Sequence, residues 1–371
     1  MSERGKEKRG SIIKRTVLSI CFLGLSFLLL FWAARSRGFA EWYASRIYPL
    51  FIATLGRVYS LIPYSAAEIW LYILCLGAVG SLAWLLFGVF RKRAGVWELL
   101  MWASRVLLGC STLFLAYTMW CGINYQRVSF SDHAGILSED YTREELGQLC
   151  AELTEEVNRL SPLIQRNEDG SIVLDGAEQG EAAVAMAGLG ERYPVLKGWY
   201  PRPKKLIFPK LLSVQELCGV YSPFTIEANY NNSMPAYTIP FSTCHELAHL
   251  GGFMEEEEAN FIAYLACKES NSLDFQYSGS LMAWSYGMSA LARADRKAYG
   301  RIWAQLGEEP RRNIEENNAF WKQYESSISK TAKAVNDRYL KANGQSEGIK
   351  SYGRMVDLLV AYRKAEEHIL K

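Results

Sequence analysis

The sequence predicts an α+β domain, mainly helical with a small sheet, preceded by three transmembrane helices. Three observations carry this. Long charge-free apolar runs are confined to the first third of the 371 residues. Short strand-like segments lie between residues 205 and 241, and helical periodicity then runs from Ser242 almost to the end. A net charge of +2 leaves no electrostatic footprint for nucleic acid.

The first apolar run, Thr16 to Ala34, follows Lys14-Arg15 and ends at Arg35. The second, Ile69 to Phe90, is stopped by Arg91-Lys92-Arg93, and Ser65 with Glu68 reads as a capping box opening it. The third, Val106 to Tyr125, follows Arg105. Each approaches the ~20 residues that cross a bilayer core as a helix. Helices of a soluble core rarely stay charge-free on every face for so long. The lipid bilayer is therefore an expected partner. The first run lacks a small-x-small cleavage site, which favours a retained anchor over a cleaved signal peptide.

Lys and Arg set the expected orientation. The N-terminal tail (Arg4, Lys6, Lys8, Arg9, Lys14, Arg15) and the loop with Arg91, Lys92, Arg93 and Arg105 are both expected in the cytoplasm. Three spans then place everything after Tyr125 outside it. Arg35, Arg37, Arg46 and Arg57 in the first outer loop dilute that bias. In the same loop Ile47, Phe51, Leu55 and Val58 recur at helical spacing among Trp42, Tyr43, Tyr48 and Tyr59. This fits an interfacial helix over about residues 42–62, lying in the membrane surface; packing beneath the soluble domain would use the same face. The expected division is a membrane domain over 1–125, a connector over 126–141 and a second domain over 142–371.

Beyond the connector, Thr142 and Glu145 form a capping box ahead of Leu146, Leu149, Leu153, Val157 and Leu160, one face of a helix. Asn167 to Gly180 reads as a loop, and Glu181 to about Gly190 as a small-residue helix. Lys205 to Phe208 is a short strand candidate. Phe224 to Tyr230 and Ala236 to Phe241 also have strand character, and Pro235 and Pro240 make the latter an edge strand. Later helices are expected over about Leu281–Ala298, Tyr299–Leu306, Glu308–Lys330, Lys333–Lys341 and Tyr352–His368. The eight cysteines show no C-x-x-C spacing, so buried thiols are the default reading.

The chemistry concentrates in CHELAHLGGFMEEEEANF, Cys244 to Phe261. His245 and His249, at i and i+4 on a helix, stack on one face and can share one Zn²⁺. Glu246 then stands beside the metal's open position, where it can take a proton from a bound water. Thr243-x-x-Glu246 also reads as a capping box, an alternative role for that glutamate. A catalytic zinc takes three protein ligands and a water. Only His133 and His368 remain as histidines, both remote in sequence, so the third ligand is expected among Glu255 to Glu258. Gly251-Gly252 can end the first helix and start a return. The stripe behind Glu256 (Ala259, Asn260, Ala263, Cys267) is small or compact, which lets a second helix approach closely and ranks Glu256 first. Glu255 follows, at the place of a third zincin histidine, and then Glu258, which leads to bulkier Phe261, Ile262 and Leu265. Acids at a helix N-terminus also answer the dipole without any metal.

Glu256-Glu257-Glu258-Ala259-Asn260 resembles the E-x-x-A-D/N element that follows HExxH in gluzincin metallopeptidases, including the membrane-bound CAAX-protease type and the regulatory ImmA/IrrE type. The resemblance implies His245, His249 and Glu256 as zinc ligands, although the spacing after His249 is shorter than in most of those families. The whole chain is also similar to a bacterial membrane-protein family whose domain has no assigned function. Its members pair N-terminal spans with a segment like YSPFTIEANYN…IPFSTCHELAHLGGF…EANFIAYLAC and a tail like YLKANGQSEGIKSYGRMVDLL. Together these imply a zincin-like domain on a bacterial cell membrane and a zinc-dependent peptidase, with a zinc-bound water and Glu246 as general base and proton shuttle. The peptide or protein substrate is not specified. Ala236 to Phe241 stands where zincins place the edge strand that pairs with substrate. Arg338, Tyr339 and Tyr352 are weighed as oxyanion partners and set aside as exposed residues of a helical tail. The alternative function is a non-catalytic membrane sensor or envelope scaffold that retains the domain for binding. A protease acting within the membrane is disfavoured, because the segment around His245 is too polar for lipid.

Overall fold

Three helices are long and apolar enough to cross a membrane in the computed structural model, which describes residues 3–91, 94–174, 176–345 and 354–369. Lys92, Arg93 and Tyr352 lie outside the described residues. In chain order, α1 (Glu3–Arg35) is followed by the short helices α2 (Arg37–Trp42), α3 (Tyr48–Phe51) and α4 (Arg57–Ser60), then by α5 (Ala66–Phe90) and α6 (Val96–Trp120). The third long helix starts ten residues before the charge-free run (106 − 96), so Glu98 and Arg105 lie within it. Its start is capped by Glu98, which accepts from the Gly95 N–H at 2.9 Å and bridges to Lys8 of α1 at 2.5 Å. It ends at Trp120, and a 3₁₀ turn over Gly122–Gln126 replaces the last predicted helical turn.

Helices α1 and α6 pack along each other, whereas α5 is largely open on its sides. Ser19 and Ser26 on α1, and Ser104, Ser111 and Thr118 on α6, are all buried. Small side chains let two apolar helices approach, and each of these hydroxyls donates to a carbonyl one turn earlier in its own helix.

The segment from Arg37 to Ser60 is helical throughout, interrupted by π-turns at Tyr43–Ile47 and Ile52–Gly56. One face packs beneath the second half of the chain. Tyr48 is fully buried, its hydroxyl donating to the Leu250 carbonyl at 2.9 Å and lying 2.7 Å from the Tyr221 hydroxyl. Gly56 leaves room for Ile226, whose Cγ2 would lie 3.3 Å from any Cβ there. Trp42, Leu50 and Val58 stay exposed.

The second half begins with α7 (Phe130–Ala134), α8 (Arg143–Leu160), α9 (Glu178–Arg192) and α10 (Lys210–Ser213). Thr142 and Glu145 form the predicted capping box of α8, and the five predicted apolar positions of that helix are buried. A three-stranded sheet has the order β1-β3-β2, with β1 (Lys204–Lys205) parallel and β2 (Gly219–Ser222) antiparallel to β3 (Glu227–Tyr230). The expected strand at Ala236–Phe241 is absent. Those residues form a 3₁₀ turn and the start of α11 (Ile239–Leu250). Pro240 explains the difference, since proline suits the first turn of a helix and cannot donate to a sheet ladder.

The remaining helices are α12 (Glu256–Lys268), α13 (Leu273–Ala294), α14 (Arg296–Gln305), α15 (Glu308–Lys322), α16 (Ser327–Ala342) and α17 (Met355–Ile369). Asp295 ends α13 earlier than predicted, because its carboxylate caps α14 by accepting from the Lys297 and Ala298 N–H groups, both at 2.9 Å. One continuous core runs from Ala33 and Tyr43 through α8, α11, α12 and α13 to α17. All eight cysteines are free thiols.

Buried charges join the sheet to α5. Glu227 accepts from the Ala67 N–H at 2.8 Å at the start of that helix and pairs with Lys204, both side chains being nearly inaccessible. Ser65 caps α5 as predicted, but Glu68 does not close a reciprocal box. It accepts from the Ile207 and Phe208 N–H groups at 2.6 and 2.8 Å instead. Removing one partner of a buried ion pair strands the other charge, which costs about 3–5 kcal/mol. Lys204→Met is therefore expected to lower the unfolding free energy of the detergent-solubilised chain by about that amount in a denaturant titration.

Candidate metal centre

Helix α11 starts at Ile239, so Thr243 is interior and its hydroxyl donates to the Pro240 carbonyl at 2.7 Å. Glu246 therefore has no capping duty. His245 and His249 stand one turn apart, with ring centroids 4.6 Å apart and Nε2 atoms at 3.0 Å. The helix ends when the Gly252 N–H donates to His249 O at 2.9 Å and the Phe253 N–H to Ala248 O at 3.1 Å. Gly252 has φ +93°, a conformation that only glycine adopts without strain. The chain then reverses into α12, with Glu255 at its N-cap and Glu256 as first residue.

Glu256 Oε2 lies 3.3 Å from His245 Nε2 and 3.6 Å from His249 Nε2. Among the described residues, His245, His249 and Glu256 form the one group of three whose donor atoms converge tightly enough to hold an ion. Donors about 2.0–2.1 Å from a tetrahedral zinc stand roughly 3.3 Å from one another. The observed 3.0, 3.3 and 3.6 Å bracket that edge length. His249 Nδ1 lies 2.8 Å from the Phe253 carbonyl, which fixes the proton there and turns the Nε2 lone pair toward Glu256. The donor set thus fits zinc in type and spacing.

Ala259, Asn260, Ala263 and Cys267 are buried behind Glu256, as its ranking required. Glu255 lines a separate polar pocket with Arg37, Asp132, Glu257 and Arg354. Glu258 accepts from the Ser131 N–H at 3.0 Å and hydroxyl at 2.6 Å. His133 pairs with Glu41 at 3.3 Å, and the side chain of His368 lies outside the described residues.

The electrostatics favour a cation between the three groups. Burial pushes the Glu256 carboxyl up, but hydrogen bonds and charge from both histidines outweigh it and hold the group well below the usual carboxylate range. Burial opposes charge on His249, yet Glu256 drives it up to about 9. Glu246 is pushed up to about 7 by burial, against the pull of the two histidines. That value suits a group which must both take and return a proton near neutrality.

Strand β2 stands against Glu246. The Asn231 N–H donates to Cys218 O at 2.8 Å, and antiparallel alternation then turns the backbone groups of Gly219 and Tyr221 away from β3. The Tyr221 N–H accordingly lies on the Glu246 side of the strand. A Cβ on Gly219 would sit 2.5 Å from Glu246 Oε1. Around these residues opens a cleft of about 1100 Å³, lined at the centre by His245, Glu246, His249 and Glu256. Asn260 and Tyr286 also line it. Tyr339 also lines it, its hydroxyl 3.2 Å from that of Tyr117 and 3.4 Å from that of Tyr125. Tyr339 is thus both an exposed residue of a late helix, as expected, and part of the cleft lining, whereas Arg338 does not line the cleft.

A mainly helical chain with three membrane-length helices and one convergent His-His-Glu group is the class that fold and site define. Residues 43–360 match the family described as a protein of unknown function (DUF3810), and the chain belongs to that family. No curated protein and no solved structure matches it.

Zinc analysis of the purified full chain is expected to give one ion per wild-type molecule. His245→Ala and Glu256→Ala should lose it, while Glu255→Ala and Glu258→Ala keep it. Because His249 holds a proton up to about pH 9, the ion must displace that proton. Zinc affinity should therefore rise roughly tenfold per pH unit between pH 6 and 8 in a chelator competition. A flat profile would contradict the coupling between His249 and Glu256.

Proposed function

We propose that the chain is a membrane-anchored zinc-dependent peptidase. The observation that carries this reading is the convergence of His245, His249 and Glu256 at tetrahedral spacing, with Glu246 beside them in one cleft. Zinc held by the three residues would supply Lewis acidity, lowering the pKa of a water and polarising a peptide carbonyl. Glu246 removes a proton from the attacking water, whose oxygen bonds to the carbonyl carbon. The same carboxyl returns that proton to the departing amine nitrogen as the C–N bond breaks. Tyr221 and Gly219 keep the Glu246 carboxylate in place. The outer edge of β2 borders the cleft and offers backbone groups to an extended substrate, the role expected of the absent Ala236–Phe241 strand. The Lys and Arg of the N-terminal tail and the α5–α6 loop support an active site outside the cytoplasm of a bacterial cell.

The test is cleavage of a peptide mixture by the zinc-loaded full chain in detergent, read by mass spectrometry. Glu246→Gln is expected to lower the rate ~10³-fold, the range for loss of a general base, with zinc content unchanged. Undiminished cleavage by Glu246→Gln, or none by the zinc-loaded wild type, would overturn the reading. Gly219→Ala should leave zinc bound and slow cleavage by ~10- to 100-fold, since the new methyl displaces Glu246 by a fraction of an ångström or more.

A further inference from the structure

Helix α16 runs along the cleft with its apolar face uncovered. Ile328, Ala332, Val335 and Tyr339 recur at intervals of four, three and four residues, one face of a helix, and all line the cleft. An amphipathic helix normally lays such a stripe on the core. Here α16 buries only Ser329 and Leu340, while Ile328 and Val335 are each 59% exposed. Val220 of β2 and Leu211 of α10, also cleft residues, are 40% and 38% exposed. Two apolar walls, one from α16 and one from β2 and α10, therefore line the cleft that also holds His245, His249 and Glu256.

The walls are held in place. Lys333 of α16 bridges to Glu216 at 2.5 Å, joining the helix to the loop that leads into β2. Glu216 sits at φ +56° in the turn that ends α10, where the Glu216 N–H donates to Ser213 O at 2.9 Å and the Leu217 N–H to Leu212 O at 3.1 Å. At the other end of α16, Tyr339 meets Tyr117 and Tyr125, and Asn343 accepts from the Tyr117 hydroxyl at 2.6 Å. Tyr117 belongs to α6, and Cys121, just past that helix, lines the cleft. The cleft thus ends where a membrane-length helix ends.

We propose that the cleft selects an extended polypeptide segment carrying apolar side chains on both sides of the bond to be cut, presented where α6 leaves the bilayer, with Ile328, Val335 and Val220 as the side chains that read it. The chemistry of this assignment rests on the peptidase reading above. Extended main chain along the β2 edge sends alternate side chains to opposite sides, and the side toward α16 meets Ile328, Ala332, Val335 and Tyr339, with Thr331 and Asn336 beside them. Each apolar side chain brought against Ile328, Val335 and Val220 leaves water, a gain that a polar side chain does not have.

Two labelled decapeptides serve as probes, one with Leu, Val and Phe around the central bond and one with Ser, Gln and Thr. Binding is read by fluorescence anisotropy on zinc-loaded Glu246→Gln chain in nanodiscs, after subtraction of binding to empty nanodiscs. The apolar peptide is expected to bind at least about tenfold more tightly, the value of burying roughly one large apolar side chain. Val335→Asp and Ile328→Asp should each abolish that preference without loss of zinc. Equal affinity for the two peptides, or an undiminished preference in both variants, overturns the assignment. Preferential binding with no cleavage of the apolar peptide by the zinc-loaded wild type overturns the peptidase reading and leaves the apolar cleft standing.

Discussion

The centre depends on how closely α12 can return beside α11 after a two-residue glycine turn. Gly252 takes a left-handed conformation, and a Cβ there would lie 3.0 Å from Arg127 Nη1. Arg127 in turn donates to the Gly251 carbonyl at 3.3 Å, pairs with Glu41 at 3.0 Å and stacks 4.0 Å from the Phe253 ring centroid. One connector residue therefore holds the turn from the side facing the membrane helices. Close approach continues behind the turn, where a Cβ on Gly279 of α13 would sit 2.5 Å from Cys267 Cβ. Small residues at successive helix contacts let a carboxylate on one helix reach two imidazoles on the next.

The same centre is tied to the membrane half of the chain at several points. Tyr48 bonds the last carbonyl of α11, Tyr221 donates to the Trp120 carbonyl at 3.2 Å, and Glu227 caps α5. The Tyr48 bond is buried and the other two are partly buried, so breaking the first would leave a polar group without water to replace it. The segment from Arg37 to Ser60 is thus a structural base for α11 and β2 through Tyr48, which reaches Leu250 and Tyr221. A cleft built on such a base keeps its position relative to α6.

Much of this arrangement is legible in the sequence, and the failures have physical causes. The i, i+4 histidines and the compact stripe behind Glu256 point to the three residues that converge, because helical spacing and side-chain size are local properties. Strand β2 escapes a sequence reading because it is only four residues long and begins with a glycine that has to be there for Glu246. The composition of Ala236 to Phe241 suggests a strand, while Pro240 is better suited to a helix start. Glu98 and Arg105 hide the first turns of the third long helix, although Lys8 neutralises the former. Tyr339 is easily passed over because its helix has an apolar face with no core beneath it. Nothing local in a sequence distinguishes such a face from one that is buried.

X-ray absorption at the zinc edge on the metal-loaded full chain addresses the central claim most directly. Four nitrogen and oxygen neighbours at about 2.0–2.1 Å are expected, with the multiple-scattering pattern of two imidazoles and no sulfur. Glu256→Ala, which loses the ion, should give no such shell, whereas Glu255→Ala should give the wild-type one. A sulfur neighbour near 2.3 Å, or a shell with fewer than two imidazoles, would contradict a centre built from His245, His249 and Glu256.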